Sequence, residues 1–536
     1  MSITTGLKVL TEAGVIRPLS PLTLLRIANT VRQWGTGPAG GFGVLAVSAD
    51  KQAGLIDELG SLTYREVHRR SNALARALAD IGVSEGDGVA VMCRNHRYFV
   101  EASIAVAKLG ADILYLNTAF AGPQLVDVVA REKPVLVIHD EEFAHLLADA
   151  DVKERLLAWT DTDPAESDAD ADGRMRSLEE LISSHDTGDL SPPKRHARIV
   201  ILTSGTTGTP KGAPRKEAGV DAAVALLSRM PLRYGWRTHI AAPMFHTWGF
   251  AHLALAMLLG TTVVLRRSFD PEQALRAVQE HECDSFVVIP VMLQRIMHLP
   301  QEVKDSYPMP TLKVVAASGS ALPGDLALSW MDQFGDNLYN IYGSTEVAYA
   351  SIATPEDLRE SPASAGKPPY STTVKILDSQ GNPVPDGESG RIFVGNSMLF
   401  EGYTGGGSKE MIDGLMSSGD VGRFDEGGRL HVEGRDDEMI VSGGENVFPK
   451  EVEDCLCRHE AVVEAAAVGI DCEEFGRRLR AFVVVSDPAA ASELALKDWV
   501  HANLARYKVP KEIVFLDELP RNATGKILKR ELAKQP

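Results

Sequence analysis

One stretch decides the fold: Thr203-Ser204-Gly205-Thr206-Thr207-Gly208-Thr209-Pro210-Lys211-Gly212, directly after the apolar run Ile199-Val200-Ile201-Leu202. The apolar run predicts a buried strand. The glycines that follow let the backbone turn sharply and come close to a ligand. Hydroxyl groups, free backbone N–H groups and the charge of Lys211 are the donors that a phosphate needs. The stretch therefore predicts a strand that ends in a phosphate-binding loop, with a flexible surface loop as the alternative.

Two other nucleotide motifs do not fit. The Walker loop needs Gly-Lys-Ser/Thr, whereas Pro210 precedes Lys211 and Gly212 follows it. A Gly-x-Gly-x-x-Gly pattern occurs at residues 35–40, but it follows a predicted helix and contains Pro38. We therefore expect neither Walker-type kinase activity nor a dinucleotide site.

Length and composition indicate a globular protein of two or more domains. The chain has 536 residues, of which 44% are hydrophobic and 24% charged. The formal net charge of −18 argues against nucleic-acid binding, because neutralising phosphates needs a basic face. Five cysteines, with no Cys or His pair at zinc spacing after Cys455 and Cys457, indicate a reduced, cytoplasmic protein without structural metal.

Two apolar stretches bear on membrane contact, and the N-terminus has no signal-peptide pattern. The uncharged run 238–265 is long enough to span a bilayer, but Pro243 and the Gly260-Thr261-Thr262 break favour a buried helix followed by a strand. Residues 21–34 predict an amphipathic helix, because Leu24, Ile27 and Trp34 recur at helical spacing. We expect this helix to pack on the protein body, with peripheral contact at the inner face of a membrane as the alternative.

From Leu62 onward, helices and strands alternate. Thr63 and Glu66 predict a capping box at the start of a helix. Strands are predicted at 89–93, 113–116, 135–138, 262–265, 285–289, 313–317 and 337–342. This alternation predicts an α/β fold class, with a large N-terminal domain of mainly parallel sheets sandwiched between helices.

The C-terminal part has a different pattern. Short strands and turns from Val374 predict a β-rich subdomain. Helices at 450–457 and 492–504, with strands near 465–468 and 479–485, predict a small α+β domain. The expected boundary places the N-terminal domain at 1–434 and the C-terminal domain at 435–536.

Residues 168–179 match a calcium-loop pattern. Asp168, Asp170, Asp172 and Glu179 occupy ligand positions. The preceding residues interrupt any entering helix, and no paired second loop follows. We therefore expect a solvated acidic linker that binds no calcium.

Four further motifs follow the loop in order: Asn340-Ile341-Tyr342-Gly343-Ser344-Thr345-Glu346, Ser417-Ser418-Gly419-Asp420, the segment 434–446, and Pro520-Arg521-Asn522-Ala523-Thr524-Gly525-Lys526. Together with the loop, they resemble the adenylate-forming superfamily of acyl-CoA synthetases, luciferases and peptide-synthetase adenylation domains. The resemblance runs from about residue 60 to the C-terminus, and segments such as 400–403 are most similar to bacterial fatty-acyl-CoA synthetases. It implies an AMP-forming acid–thiol ligase: a carboxylate attacks the ATP α-phosphate, releasing pyrophosphate, and the thiol of coenzyme A then displaces AMP.

The resemblance also implies the nucleotide site. The β- and γ-phosphates would be held by Thr203, Ser204, Gly205, Thr206, Thr207, Gly208 and Lys211. The adenine would be framed by Gly319, Ser320, Ala321, Asn340, Tyr342 and Gly343. Asp420 would accept both ribose hydroxyls, and Arg435 would reach the ribose or a phosphate. Thr345 would contact the α-phosphate, while Glu346 and Thr203 would hold Mg²⁺.

Two catalytic states follow from the same resemblance. Lys526 would bridge the carboxylate and the α-phosphate during adenylation; an ordinary solvated lysine is the alternative. The C-terminal domain would then rotate about a hinge at Asp437. Gly443 and Gly444 would replace Lys526 and leave room for the pantetheine of CoA, the alternative being a simple turn.

His246 matches the family's aromatic gate, with Trp248 and Phe250 in the acyl pocket; a satisfied core histidine is the alternative. The implied catalytic residues are thus Lys526, His246, Thr345 and Glu346.

Small and large apolar residues behind the gate predict a medium- or long-chain fatty acid. An aryl-CoA ligase, transfer to a separate carrier-protein thiol, and a non-catalytic binding relative are the alternatives. The oligomeric state stays open.

Overall fold

The computed structural model describes residues 3–120, 122–161, 175–203, 211–212, 220–402, 407–436, 440–442, 445–447, 449–472, 476–487, 491–504, 508–522 and 525–535. Contacts divide the chain into two compact units. Unit 1 comprises residues 1–288, 292–317 and 397–408, and unit 2 comprises residues 289–291, 318–396 and 409–536.

Helices and strands alternate through the first part of the chain. Up to residue 317 the elements are α1 Ile3–Glu12, α2 Pro21–Trp34, α3 Pro38–Ser48, β1 Ala53–Asp57, β2 Gly60–Thr63, α4 Tyr64–Ile81, β3 Gly88–Met92, α5 Arg97–Lys108, β4 Asp112–Tyr115, α6 Gly122–Glu132, β5 Leu136–His139, a 3₁₀ helix Glu141–Leu147, β6 Glu154–Leu157, α7 Leu178–Ser184, β7 Ile199–Thr203, β8 Lys211–Gly212, α8 Val220–Leu227, β9 Arg237–Ile240, α9 Thr247–Leu259, β10 Thr262–Val264, α10 Pro271–Glu280, β11 Ser285–Val288, α11 Pro290–Met297, α12 Gln301–Asp305 and β12 Val314–Ala317.

Strands predominate in the second part. From residue 318 the elements are α13 Gly324–Phe334, β13 Leu338–Tyr342, β14 Ser351–Ala353, α14 Pro355–Glu360, β15 Thr373–Leu377, β16 Gly390–Gly395, β17 Met411–Ile412, β18 Leu415–Phe424, β19 Leu430–Arg435, β20 Ile440–Ser442, β21 Glu445–Val447, α15 Pro449–Cys457, β22 Val462–Cys472, β23 Gly476–Val485, α16 Glu493–Asn503, β24 Glu512–Phe515 and α17 Lys529–Leu532.

Unit 1 contains two mainly parallel sheets. The first has the strand order β6-β5-β3-β4-β7-β8, with β8 antiparallel to β7. In the second, β1, β10, β9, β11 and β12 pair in parallel, and β2 runs antiparallel to β1. The central strands β3, β4 and β5 are almost entirely apolar and buried, as expected when helices cover both faces of a sheet. The predicted α/β architecture is confirmed.

Unit 2 is built from smaller sheets. Strands β15, β16, β18 and β17 form an antiparallel sheet in that order, and β19 pairs with β18. A further sheet has the order β21-β20-β23-β22, with β24 parallel to β23. Helices α15 and α16 supply Val452 and Val500 to its core. These two sheets match the predicted β-rich region and α+β tail, while the boundary at residues 434 and 435 stays a prediction.

The long uncharged run folds as expected, as helix α9 followed by strand β10. Within the described parts of the chain, no helix is both long enough and apolar enough to cross a bilayer. The capping box at the start of α4 is also confirmed: the Thr63 hydroxyl accepts from Glu66 N, and the Glu66 carboxylate accepts from Thr63 N at 2.7 Å.

The expected packing of residues 21–34 on the protein body is confirmed in part: helix α2 contacts helix α3, and Ile27, Thr30 and Trp34 are half-buried. Helix α2 forms with Ser20 as its N-cap, but none of its residues is buried. Leu24 is 51% exposed, Leu25 68% and Val31 37%. The apolar stripe is present in the sequence, yet no described residue covers most of it.

Candidate active site

The carboxylate of Asp420 is the centre of a polar cluster in unit 2. Asp420 lies on β18 and is only 8% exposed. Its Oδ2 accepts a hydrogen bond from the Tyr342 hydroxyl at 2.5 Å, and its Oδ1 accepts from Arg435 Nη1 at 3.3 Å. Burial raises the pKa of Asp420, while the charge of Arg435, the Tyr342 hydrogen bond and the charge of Lys526 oppose that rise.

The strand register places Arg435 opposite this carboxylate. Strands β18 and β19 are antiparallel, and Asp420 pairs directly with Arg435. Gly419, between Ser418 and Asp420, has φ +80° and therefore suits glycine. A side chain at Gly419 would lie 3.2 Å from Arg435 Nη2 and 3.3 Å from Lys409 Nζ. The bare backbone thus leaves room for two cationic side chains beside the carboxylate.

Tyr342 ends strand β13 and contacts the same group. Its hydroxyl also bonds to Ser418 Oγ at 3.1 Å. Burial and the adjacent Asp420 charge raise the pKa of Tyr342 well above its ordinary value, so this hydroxyl remains a donor. Ser418 is a site residue that sequence reasoning quoted but gave no role, because a serine in a strand carries no signal by itself.

A tight turn presents Lys526. Asn522 N donates to Lys526 O, Lys526 N donates to Asn522 Oδ1, and both distances are 2.9 Å. Arg521 holds the turn by donating to Gly525 O at 2.6 Å and to Glu464 Oε1 at 2.7 Å. The Lys526 side chain is exposed, and its charge acts on Asp420. Lys526 and Asp420 therefore belong to one group of interacting charges.

Gly525 allows this turn to lie close to its neighbours in unit 2. Its φ is +76°, and a Cβ there would lie 2.6 Å from Val291 Cγ1 and 3.0 Å from Ile289 Cδ1. The same Ile289 side chain lies near Gly319, whose Cβ would be 3.3 Å from Ile289 Cγ2. Glycine at position 525 is thus required both by conformation and by space.

The turn after β13 carries the predicted metal-binding and α-phosphate residues. Gly343 allows a close approach, because a Cβ there would collide with Ala348 O. Ser344 Oγ accepts from Glu346 N at 3.2 Å and from Val347 N at 3.3 Å, which orders the turn. Thr345 and Glu346 are half-buried. A carboxylate at this position offers the hard oxygen ligand that Mg²⁺ prefers.

The predicted adenine-framing residues are close in sequence to these elements. Ser318 Oγ donates to Ile341 O at 2.8 Å, which ties the segment of Gly319, Ser320 and Ala321 to strand β13. Asn340 is 8% exposed, and its buried Oδ1 has no hydrogen-bond partner in the described part of the protein. An unpaired buried acceptor favours a ligand that brings a donor, and the adenine amino group is one.

The predicted phosphate-binding loop lies largely outside the described residues, which exclude 204–210. Its flanking strands are described: β7 ends at Thr203, β8 comprises Lys211–Gly212, and Thr203 pairs with Lys211. The loop therefore begins and ends at one antiparallel pair. The proposed hinge at Asp437 and the glycines Gly443 and Gly444 also lie outside the described residues, as does most of the calcium-like loop.

Glu179, at the last position of the calcium-like pattern, is described. Its carboxylate accepts from Arg70 Nη2 at 2.7 Å and from the Tyr98 hydroxyl at 2.9 Å. These partners already satisfy a carboxylate that a calcium ion would need. The structure therefore gives the acidic segment a fixed end on helices α4 and α5.

The predicted gate and acyl-pocket residues lie at the start of α9 in unit 1. His246 is the N-cap residue of this helix and is half-buried. Trp248 is buried, and its Nε1 donates to Val288 O at 3.0 Å. The Phe250 ring lies 5.4 Å from the ring of Tyr115, which stacks on Phe99 at 4.8 Å. Two of the three predicted side chains thus contact other parts of unit 1.

A separate cluster in unit 1 has donor atoms of the metal-ligand type. Cys93, His96 and Asp140 are all buried, with candidate donor atoms within 4.8 Å of one another. Asp140 Oδ1 is 2.8 Å from His96 Nε2, and its Oδ2 accepts from Arg94 N at 2.9 Å. The carboxylate is therefore already engaged by internal donors. The expectation of no structural metal stays a prediction.

Comparison with known proteins places this geometry in context. A family model described as AMP-binding enzyme matches residues 45–404, and one described as AMP-binding enzyme C-terminal domain matches residues 451–526. A feruloyl-CoA synthase of an Amycolatopsis species is 33% identical over 481 residues, which cover 89% of this chain and 94% of the relative. A 2-succinylbenzoate–CoA ligase of Geobacillus kaustophilus (strain HTA426) is 34% identical over 487 residues, covering 88% and 92%.

A solved structure agrees with these matches. The crystal structure of the anthranilate CoA ligase AuaEII in complex with anthranoyl-AMP superposes with a TM-score of 0.82 at 25% identity. The alignment covers 92% of this chain and 96% of that protein.

Proposed function

The chain belongs to the family of AMP-binding enzymes, and we propose that it activates a medium- or long-chain fatty acid. The coarser activity follows from the family: the chain is an ATP-dependent acid–thiol ligase that adenylates a carboxylic acid and forms its CoA thioester. The observation that best supports a shared chemistry is the buried Asp420 carboxylate, held by Tyr342 and Arg435 and acted on by the charge of Lys526.

In this proposal each side chain has one task. Asp420 accepts the two ribose hydroxyls, because an ionised carboxylate is purely an acceptor. Lys526 neutralises the negative charge that gathers between the acid and the α-phosphate while ATP is attacked, and Thr345 binds that phosphate. Preorganised charge of this kind is the main source of catalysis in phosphoryl chemistry. The loop from Thr203 to Lys211 holds the β- and γ-phosphates.

The residues fit a magnesium ion, which would supply neutralisation of phosphate charge when bound. Glu346 offers the ligand oxygen from the ordered turn after β13, with Thr203 as the second proposed ligand. EDTA should then abolish activity, and added Mg²⁺ should restore it. The CoA step is proposed to follow rotation about Asp437, which brings Gly443 and Gly444 to the site.

A partly covered apolar stripe on α9 supports the fatty acid. Ala251, Ala254 and Leu258 recur at helical spacing and are only half-buried. The helix begins beside the proposed gate residue His246, so a hydrocarbon chain entering there can cover this stripe. Each methylene removed from water contributes roughly 0.8 kcal/mol. The specificity constant should therefore rise with chain length until the pocket is filled.

An aryl acid is the second candidate, and the names of the three similar proteins described above favour it. The feruloyl, succinylbenzoate and anthranilate enzymes are named for acids that contain an aromatic ring. The neighbouring rings of Phe99, Tyr115 and Phe250 give unit 1 an aromatic group near the start of α9. Phe99 and Tyr115 are fully buried, so of these three rings the half-buried Phe250 is the one that can contact an aryl substrate.

One panel of acids distinguishes these candidates. Fatty acids from C2 to C18 and aryl acids are each assayed with ATP, Mg²⁺ and CoA, measuring AMP release and thioester formation. The proposal predicts a maximum of kcat/KM at a medium or long chain. A maximum at acetate, or a preference for an aryl acid, contradicts it. ATP-dependent loading of a separate carrier protein, with release of AMP and no CoA turnover, would instead support the carrier-thiol alternative.

We also propose peripheral contact of α2 with an anionic lipid surface. Leu22, Leu24 and Leu25 are more than half exposed. Residues 13–49 contain three arginines and no acidic residue, although the whole chain has a formal charge of −18. Exposed leucines with nearby arginines suit an anionic interface. Co-sedimentation with phosphatidylglycerol vesicles should be lost in Leu24→Ser/Leu25→Ser. Equal sedimentation of wild type and variant contradicts the proposal. Self-association of the wild type would indicate instead that a second copy of the chain covers these leucines.

A further inference from the structure

The segment between β9 and α9 carries the proposed gate residue, His246, and one side chain from elsewhere in unit 1 holds it. Asn95 Nδ2 donates to Ile240 O at 3.0 Å and to Ala242 O at 2.9 Å. Its Oδ1 accepts from Met244 N at 2.9 Å. Asn95 therefore uses both of its amide donors and its carbonyl on three residues, Ile240, Ala242 and Met244, just before the gate.

Asn95 joins the ends of two sheets. It follows strand β3 of the six-stranded sheet, whereas the segment 240–244 follows strand β9 of the other parallel sheet. In open α/β sheets, ligands bind beyond the carboxyl ends of the strands. The asparagine is thus at the edge where a substrate site is expected, although it is only 5% exposed.

Backbone hydrogen bonds fix the residues on both sides of Asn95. Arg94 N donates to Asp140 Oδ2 at 2.9 Å, and Arg97 N donates to Asp57 Oδ2 at 2.9 Å. Arg97 is 7% exposed and also pairs with Asp57 through its side chain. Asn95 therefore lies between two residues whose backbone N–H groups are bonded to buried carboxylates.

The segment that it binds also contacts helix α9 closely. A Cβ at Gly249 would lie 2.7 Å from Ala242 O and would collide with Pro243 O. The first turn of α9 therefore rests directly on the backbone that Asn95 holds. A shift of residues 242–243 would move this turn, and with it the N-cap residue His246.

We propose that Asn95 is a positioning residue for the acyl site, fixing the segment 240–244 and thereby His246 at the start of α9. The inference rests on the proposed role of His246 as the gate of the acyl pocket. Asn95 touches neither acid nor nucleotide in this proposal; it acts through the backbone. Small displacements of positioning elements lower kcat/KM by ~10- to 100-fold.

The test compares Asn95→Ala with a matched control, Asn72→Ala. Asn72 is also buried in unit 1, but it donates to Thr187 O at 3.2 Å and accepts from Lys108 Nζ, away from this segment. Amide hydrogen exchange of residues 240–250 measures positioning without any substrate. Steady-state kinetics with the acid that the wild type uses best measure its consequence for acid and ATP separately.

The proposal predicts faster exchange of residues 240–250 in Asn95→Ala only, a KM for the acid raised about tenfold, and a KM for ATP within about twofold of wild type. Unchanged exchange overturns it, as does faster exchange without a change in acid kinetics. Equal losses in Asn72→Ala would reduce Asn95 to a folding residue and also overturn it. If the best acid proves not to be a fatty acid, only the substrate proposal fails, because the exchange comparison and the kinetics still apply.

A third variant adds a pH readout. Asn95→Asp keeps the acceptor for Met244 N but places a carboxylate against two carbonyl oxygens. Protonation restores one donor, so the KM for the acid should recover towards the wild-type value as the pH is lowered. A KM offset that is the same at every pH contradicts the hydrogen-bonding role.

Discussion

Asp420 and Lys108 are both buried charged residues, but the partners that surround them differ in kind. Asp420 is desolvated, and Arg435, Tyr342 and Lys526 supply compensating interactions from unit 2. Lys108 on α5 is similarly buried, at 3% exposure, but among the described residues no carboxylate hydrogen-bonds to it. Its Nζ donates to Asn72 Oδ1 at 2.6 Å, Ser71 Oγ at 2.8 Å and His68 O at 3.0 Å. Neutral partners satisfy the donors without balancing the charge.

This difference predicts a pH-dependent stability. Burial lowers the pKa of Lys108 from 10.5 to about 7. Between these values the unfolded chain binds more protons than the folded one, so the free energy of unfolding rises with pH. Relative to Lys108→Met, the wild type should gain roughly 1.5 kcal/mol between about pH 7 and 8.5. Denaturant titrations of both proteins measure this, and parallel pH profiles would contradict it.

At the scale of elements, the sequence predicts a helix start well where a capping box marks it, because the residues of the box are close in sequence. The Thr63–Glu66 capping box starts α4, and Ser177 with Glu180 forms a second box at α7 that the sequence analysis did not single out. Helix α2 forms at its predicted bounds, but only part of its apolar face packs on the protein. Periodicity identifies an apolar face but not what covers it, because coverage depends on contacts distant in sequence.

The turn that carries Lys526 gives a testable prediction at the scale of elements. Gly525→Ala forces a positive φ on alanine and places a methyl group 2.6 Å from Val291 Cγ1. We expect adenylate formation to slow by at least tenfold, because the turn can no longer hold Lys526 near Asp420. Gly387→Ala is the matched control: its φ is +88°, but a Cβ there meets nothing within 4 Å. Equal rates in the two variants would show that the contact with Val291 does not matter.

For the whole molecule, ordered motifs predicted more than composition did. The two parallel sheets and the β-rich region agree with expectations from sequence. The structure also brings Tyr342, Asp420 and Arg435 together, while their nucleotide-binding roles stay predictions. The roles of Ser418 and Asn95 could not be read from sequence, because each depends on a partner more than 70 residues away. The acid is equally hard to predict, since pocket residues come from several elements and small changes alter preference.

We propose that Lys526 serves only the first half-reaction. Its charge acts near Asp420 in this structure, and adenylation is the step that gathers negative charge there. Lys526→Ala should slow acyl-adenylate formation by roughly a hundredfold or more, since an interaction made mainly in the transition state is lost. Conversion of supplied acyl-adenylate and CoA to thioester should remain nearly unchanged.

The direct measurement is the rate of each half-reaction in wild type, Lys526→Ala and the control Lys534→Ala, which removes another exposed lysine of the same tail. All three proteins must first show the same thermal transition. We expect that Lys526→Ala alone loses adenylation while its thioester step stays within about twofold of wild type. Equal loss of both half-reactions in folded Lys526→Ala, or no loss of either, would contradict it.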